Sequence, residues 1–150
     1  MSQSLARIAV HLTFSTKHRR RLIVPSLGES LQRYMAATLN GNECPVIEAK
    51  VVEDHAHILF LLDRKRSLAD AVEEVKKKSS KWAKQQDPSL ADFYWQSGYG
   101  AFSVSQSNMG MVQRYILQQD KHHAKLSFQD EFRILLKKHE IEWDERYVWE

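Results

Sequence analysis

Residues 46–62 read Val-Ile-Glu-Ala-Lys-Val-Val-Glu-Asp-His-Ala-His-Ile-Leu-Phe-Leu-Leu. Two runs rich in apolar and β-branched residues, 46–52 and 55–62, flank Glu53-Asp54, a pair suited to a tight turn, so the stretch predicts a β-hairpin. Upstream, residues 7–15 alternate. Ile8, Val10, Leu12 and Phe14 share one side and Ala9, His11, Thr13 and Ser15 the other, the pattern of a half-buried strand. Between strand and hairpin, Pro25-Ser26 opens a helical stretch through Leu27, Leu31, Tyr34, Met35 and Leu39, closed by Asn40-Gly41.

Downstream, Ser67 starts a second helix with Asp70 completing a Ser-x-x-Asp capping box, and the helix runs to about residue 85 before Asp87-Pro88 breaks it. Residues 93–105 are aromatic and β-branched around Gly98 and Gly100, which predicts a fourth strand with a bend or bulge. Asn108 leads into a helix through Met109, Val112, Tyr115, Ile116 and Gln119. A last helix covers about residues 128–139, and the strip from Trp143 to Trp149 is short and aromatic-rich. The order β-α-β-β-α-β-α-α contains the split βαβ pattern, so the expected fold is α+β, a ferredoxin-like antiparallel sheet with helices packed on it.

With 150 residues the chain suits one domain, 1–150, and is too short for a (β/α) barrel. Its 43% hydrophobic and 27% charged content excludes wholesale disorder. One cysteine, Cys44, permits neither an internal disulfide framework nor a cysteine-rich zinc module. No secretory start and no apolar run of about 20 residues is visible, so the expectation is a soluble cytoplasmic protein without a membrane partner. Residues 1–86 carry 15 Lys and Arg against 9 Asp and Glu, and the remainder 7 against 10. A basic excess of this kind suits either a polyanion partner or a lysine-rich solvated surface.

His55-Ala56-His57 carries the chemistry. Residues two apart on a strand face the same way, so both imidazoles project from one face, where they can bind one divalent cation or stand as two half-exposed sheet histidines. The sequence does not continue as His-x-His-x-Asp-His, because Ile58-Leu59-Phe60 follow, so a third ligand has to come from elsewhere. The helix from Asn108 offers one: Tyr115 and Gln119 are four apart, and the Gln119 amide oxygen can complete a thiolate-free set suited to Mg²⁺ or Mn²⁺. Tyr115 then stands beside the metal as a nucleophile, or else packs its ring on the sheet.

At these residues the chain resembles a known family. His55-Ala56-His57 is similar to the His-hydrophobic-His signature of HUH nucleases, and Tyr115-x-x-x-Gln119 to their single-tyrosine helix motif. The resemblance is to the small transposases of insertion sequence 200-like elements and the REP-associated tyrosine transposases. The same order holds the strand end His11-Leu12-Thr13-Phe14-Ser15-Thr16-Lys17, the block Trp95-Gln96-Ser97-Gly98-Tyr99-Gly100-Ala101-Phe102, His122-His123, and Asp144-Glu145-Arg146-Tyr147. One departure is Val52-Glu53-Asp54, where the family more often shows Met-Pro-Asp; it alters the hairpin turn, not a ligand.

The resemblance implies an HUH-type fold and a metal-dependent transesterase acting on single-stranded DNA. His55, His57 and Gln119 would hold Mg²⁺ or Mn²⁺, and Tyr115 would attack the scissile phosphate to give a 5′-phosphotyrosine and a free 3′-hydroxyl, reversed by a second 3′-hydroxyl. It further implies single-stranded DNA with hairpin ends as partner, a homodimer that shares active sites, and a nucleoid-associated place in the cytoplasm. Lys17, Arg19, Arg20, Arg21, Lys76, Lys77, Lys78 and Lys81 are then expected phosphate contacts, and Tyr94 and Trp95 expected platforms for unpaired bases. The parts of His122 and His123 are open: competing ligands or phosphate contacts. Two other readings remain at this stage, a replication-type or domesticated single-tyrosine nickase and a non-enzymatic single-strand binder. Against the binder, no RNP-like aromatic motif is visible.

Overall fold

In the computed structural model, which describes residues 2–150, the chain forms β1 (Ala9–Ser15), α1 (Pro25–Gly41), β2 (Val46–Val51), β3 (His55–Leu61), α2 (Leu68–Gln86), β4 (Gly100–Val104), α3 (Met109–Leu117), α4 (Gln119–Lys125) and α5 (Phe128–Lys138). The four strands make one sheet in the order β2-β3-β1-β4. β3 runs antiparallel to both β1 and β2, and β1 antiparallel to β4, which is the ferredoxin-like arrangement. The register sets Thr13 opposite His57 and His11 opposite Leu59. His11, His55 and His57 therefore share one face of the sheet.

The opposite face holds the larger core. Val10, Leu12 and Phe14 of β1 and Ala56, Ile58 and Phe60 of β3 pack against Leu31, Met35 and Leu39 of α1 and Val72, Val75 and Ala83 of α2. These helices bury the faces that their 3.6-residue spacing predicts. The Ser67 hydroxyl accepts from the Asp70 amide at 3.0 Å, so the cap of α2 forms as its sequence implies.

On the histidine face the structure differs from a half-buried sheet. Every residue of β1 is buried, because α3, α4 and α5 cover that face as a further layer. Phe102 meets Phe128, Phe132, Leu135 and Leu136 of α5, while Ala9 and Leu59 meet Met109 and Ile116 of α3. The polar side of β1 looks inward to a closed site, not outward to water.

Two elements depart from expectation. The fourth strand begins at Gly100 rather than near Phe93; the residues before it hold only a single bridge, Trp95 to Thr16. The tyrosine helix stops at Leu117 and restarts at Gln119, with Gln118 at φ −95° and ψ 18°. This break turns Gln119 fully inward, and Lys50 of β2 holds α4 through Asp120 at 3.2 Å.

Gly100 is explained by packing rather than by a bend, since a Cβ there would lie 2.9 Å from Phe132 Cζ and 3.1 Å from Phe102 Cζ. Gly100→Ala is therefore expected to cost about 1–3 kcal/mol of unfolding free energy by forcing rings apart, measured by urea denaturation.

Candidate metal and phosphoryl-transfer site

Strand β3 presents His55 and His57, both essentially without exposure, to the space beneath α3, α4 and α5. Glu131 enters that space from α5. Its Oε1 accepts from His57 Nε2 at 3.0 Å and lies 3.4 Å from His55 Nε2. Its Oε2 accepts from Gln119 Nε2 at 3.0 Å and, closely, from the Tyr115 hydroxyl. Gln119 Oε1 in turn accepts from His55 Nε2 at 3.0 Å. The structure thus gathers all four predicted residues, His55, His57, Tyr115 and Gln119, on one carboxylate that the sequence reading did not include.

The outer nitrogens of both imidazoles are also fixed. His55 Nδ1 donates to Asp54 Oδ1 at 2.7 Å, and His57 Nδ1 lies 2.8 Å from His11 Nε2. With His57 Nε2 donating to Glu131, the neutral His57 ring accepts at Nδ1 from His11 Nε2; a cation on His57 Nε2 would require the reverse, with His57 Nδ1 donating to His11.

Burial opposes the charge on His55, yet the carboxylates of Asp54 and Glu131 carry its pKa up to about 9. Burial holds His57 below its ordinary value, and burial with the neighbouring His57 holds His11 well below. Burial also works against ionised Glu131, but hydrogen bonds from His55 and His57 keep its carboxyl far below the usual range. The Tyr115 phenol is pushed far above its usual value by burial and the Glu131 charge, so at rest it is a neutral donor.

This donor set fits a divalent cation. His55 Nε2 stands 3.0 Å from Gln119 Oε1 and 3.4 Å from Glu131 Oε1, and Glu131 Oε1 stands 3.0 Å from His57 Nε2, separations that neighbouring ligands of one divalent ion can adopt. Both Nδ1 atoms bear the outer hydrogen bonds that orient metal-binding imidazoles. His55, His57 and Glu131 form one possible ligand group, and Asp54, His55 and His123 another.

Glu131 had one legible signal. On α5 it follows Phe128 by three and precedes Leu135 by four, an acid set in the apolar stripe Phe128, Phe132, Leu135 and Leu136. His122 stacks on the Tyr115 ring at 4.6 Å between centroids, and His123 Nε2 meets Glu53 Oε1 at 3.0 Å. The departing turn residue Glu53 therefore helps to anchor α4.

The expected DNA contacts divide. Lys17, Arg20, Arg21, Lys77, Lys78 and Lys81 are exposed; Arg21 pairs with Glu53 and Lys78 with Glu74. Arg19 lies over the Trp149 ring at 5.8 Å. Lys76 departs from expectation: its Nζ donates to the carbonyls of Gln96, Ser97 and Gly98 at 2.6, 3.0 and 2.9 Å, and burial lowers its pKa to about 8. Trp95 also departs, being a core residue whose Nε1 donates to Ser79 Oγ at 2.9 Å. Tyr94 is half exposed, with Lys84 Nζ 3.8 Å from its ring centre.

A family model described as Transposase IS200 like matches residues 4–119. Among solved structures, a candidate transposase of Deinococcus radiodurans superposes with a TM-score of 0.62 at 20% identity, covering 79% of this chain and 98% of its own. A REP-associated tyrosine transposase bound to a REP hairpin superposes with a TM-score of 0.61 at 14% identity, covering 84% of this chain and 76% of its own. No curated protein matches the chain.

Two outcomes follow from the geometry. Asp54→Asn is expected to weaken Mn²⁺ binding by about 10- to 100-fold in calorimetric titration, because His55 loses the carboxylate that orients it. Lys76→Met is expected to lower unfolding free energy by about 1 kcal/mol, because the partly buried carbonyls of the 96–98 loop lose their shared donor; unchanged stability with weakened DNA binding would instead return Lys76 to the DNA surface.

Proposed function

The chain belongs to the IS200-like transposases, and on that premise we propose that it cleaves and rejoins single-stranded DNA by transesterification through Tyr115. The observation that carries this reading is the convergence of His55, His57, Gln119 and the Tyr115 phenol on Glu131. Simple strand binding gives no reason to bury two imidazoles and a carboxylate beside a phenol, since such groups cost several kcal/mol to desolvate.

In the proposed reaction the Tyr115 oxygen forms a bond to the scissile phosphorus as the bond from phosphorus to the 3′-oxygen breaks. The phenol proton is lost to solvent as the new bond forms, and the departing 3′-oxygen takes up a proton to become a hydroxyl, while Glu131 stays ionised and positions the phenol through its hydrogen bond. Attack by another 3′-hydroxyl on the phosphotyrosine reverses these changes and joins the strands. His55, His57, Glu131 and Gln119 would hold Mg²⁺ or Mn²⁺, which when bound supplies Lewis acidity toward a phosphoryl oxygen. His11 and Asp54 keep the imidazoles aimed, and Glu131 keeps the phenol aimed.

The substrate proposed is single-stranded DNA carrying hairpins, supported by the structural neighbour solved with a REP hairpin. Lys17, Arg20, Arg21, Lys77, Lys78 and Lys81 are proposed phosphate contacts, with Tyr94 available to an unpaired base. Tyr115 stands beside the histidines of its own chain, with ring centroids of Tyr115 and His57 6.0 Å apart; the homodimer proposed from the resemblance would share its active sites between subunits.

Incubation with hairpin-bearing single-stranded DNA and Mn²⁺, followed by denaturing electrophoresis, is expected to show a covalent protein–DNA species. Tyr115→Phe is expected to abolish that species, a loss of more than about 10³-fold, while DNA binding persists. An adduct that survives in the variant would place the nucleophile on another residue.

A further inference from the structure

Beside Tyr115, on the side toward β4, lies a cavity of about 170 Å³. Phe102, Val112 and Leu135 give it apolar and aromatic walls, the Tyr115 ring forms another wall, and Asn108 and Lys138 stand at its rim. Both polar residues are exposed, and neither side chain has a hydrogen-bond or ion-pair partner among the described residues. Asn108 occupies the position before α3 where an Asn commonly caps the helix, yet its side chain makes no capping hydrogen bond. Lys138 forms no ion pair among the described residues.

We infer that this cavity is a nucleobase site, taking the base of the nucleotide whose 5′-phosphate becomes joined to Tyr115. The inference rests on the nuclease reading and goes beyond it by assigning a source of sequence preference at the cleavage point. The size decides the class of ligand. Pockets for drug-sized molecules hold about 300–1,000 Å³, and this one suits a single flat ring system. Apolar and aromatic walls match the face of a base, which gains about 1–3 kcal/mol by stacking. The Asn108 amide offers a donor and an acceptor side by side, the pair that reads a base edge. Lys138 supplies a cation for the flanking phosphate. Because Tyr115 is itself part of the wall, the cavity lies within a nucleotide's reach of the oxygen that would be esterified.

The test uses single-stranded oligonucleotides with a randomised tract. Protein and Mn²⁺ are added, covalent species are isolated under denaturing conditions, and the attached DNA is sequenced from the nucleotide joined to Tyr115. The expected result is enrichment of one base, or one class of base, by about tenfold at that nucleotide. Met111→Trp, which adds an indole from the half-exposed wall residue of α3, and Asn108→Ala, which removes the edge contact, are each expected to flatten the preference among the adducts that form. Adducts without preference at that nucleotide, or a preference untouched by both variants, overturn the base site and leave the nuclease reading standing. Absence of adducts from the unaltered protein overturns that reading and the base site with it.

Discussion

A carboxylate under a helix must be either neutral or surrounded by donors, and Glu131 is surrounded. It is 4% exposed, yet His57, Tyr115 and Gln119 all donate to it, with His55 at 3.4 Å. Three separate helices and a strand have to agree in position for this to happen. Removing one partner from such a buried set typically costs about 3–5 kcal/mol, so the arrangement constrains where α3, α4 and α5 can sit on the sheet. The apolar contacts of Phe128, Phe132 and Leu135 hold α5 down; Glu131 decides its rotation.

The sheet was legible because its strands differ in period from the helices around it, and because Glu53-Asp54 separates two runs too short to be anything but a hairpin. The same-face logic of His55 and His57 needed only the two-residue repeat of a strand. Local patterning could not supply what depends on contacts across the chain. Glu131 looks like one more charge on a short helix unless its place in the apolar stripe is noticed. Trp95 and Lys76 resemble surface groups in sequence, but one fills the core and the other holds a loop. The interruption at Gln118 has no glycine or proline to announce it; it goes together with the inward turn of Gln119 toward His55. The alternation in β1 described the strand correctly and its surroundings incorrectly, since three later helices enclose its polar side.

The basic surface is likewise sorted by the fold. Lys76 gives its ammonium to Gln96, Ser97 and Gly98, and thereby fixes the loop that leads into β4. Its neighbours Lys77 and Lys81 point to solvent on the same helix. A run of lysines thus contains one internal staple and several free cations, a division set by which residues of α2 face the loop. The Gly100 contact with Phe132 then ties β4 to α5, so the loop, the strand and the carboxylate are mechanically connected.

The enclosure of the histidine face has a bearing on the fate of the ester proposed at Tyr115. His55 and His57 are sealed from solvent by the sheet on one side and by α4 and α5 on others, while Tyr115 stays partly accessible. Water has little access to the groups that would activate it beside such a linkage, and hydrolysis would discard the energy that rejoining requires. On the proposed mechanism, such seclusion of the ligands would favour reaction with a hydroxyl delivered on a strand.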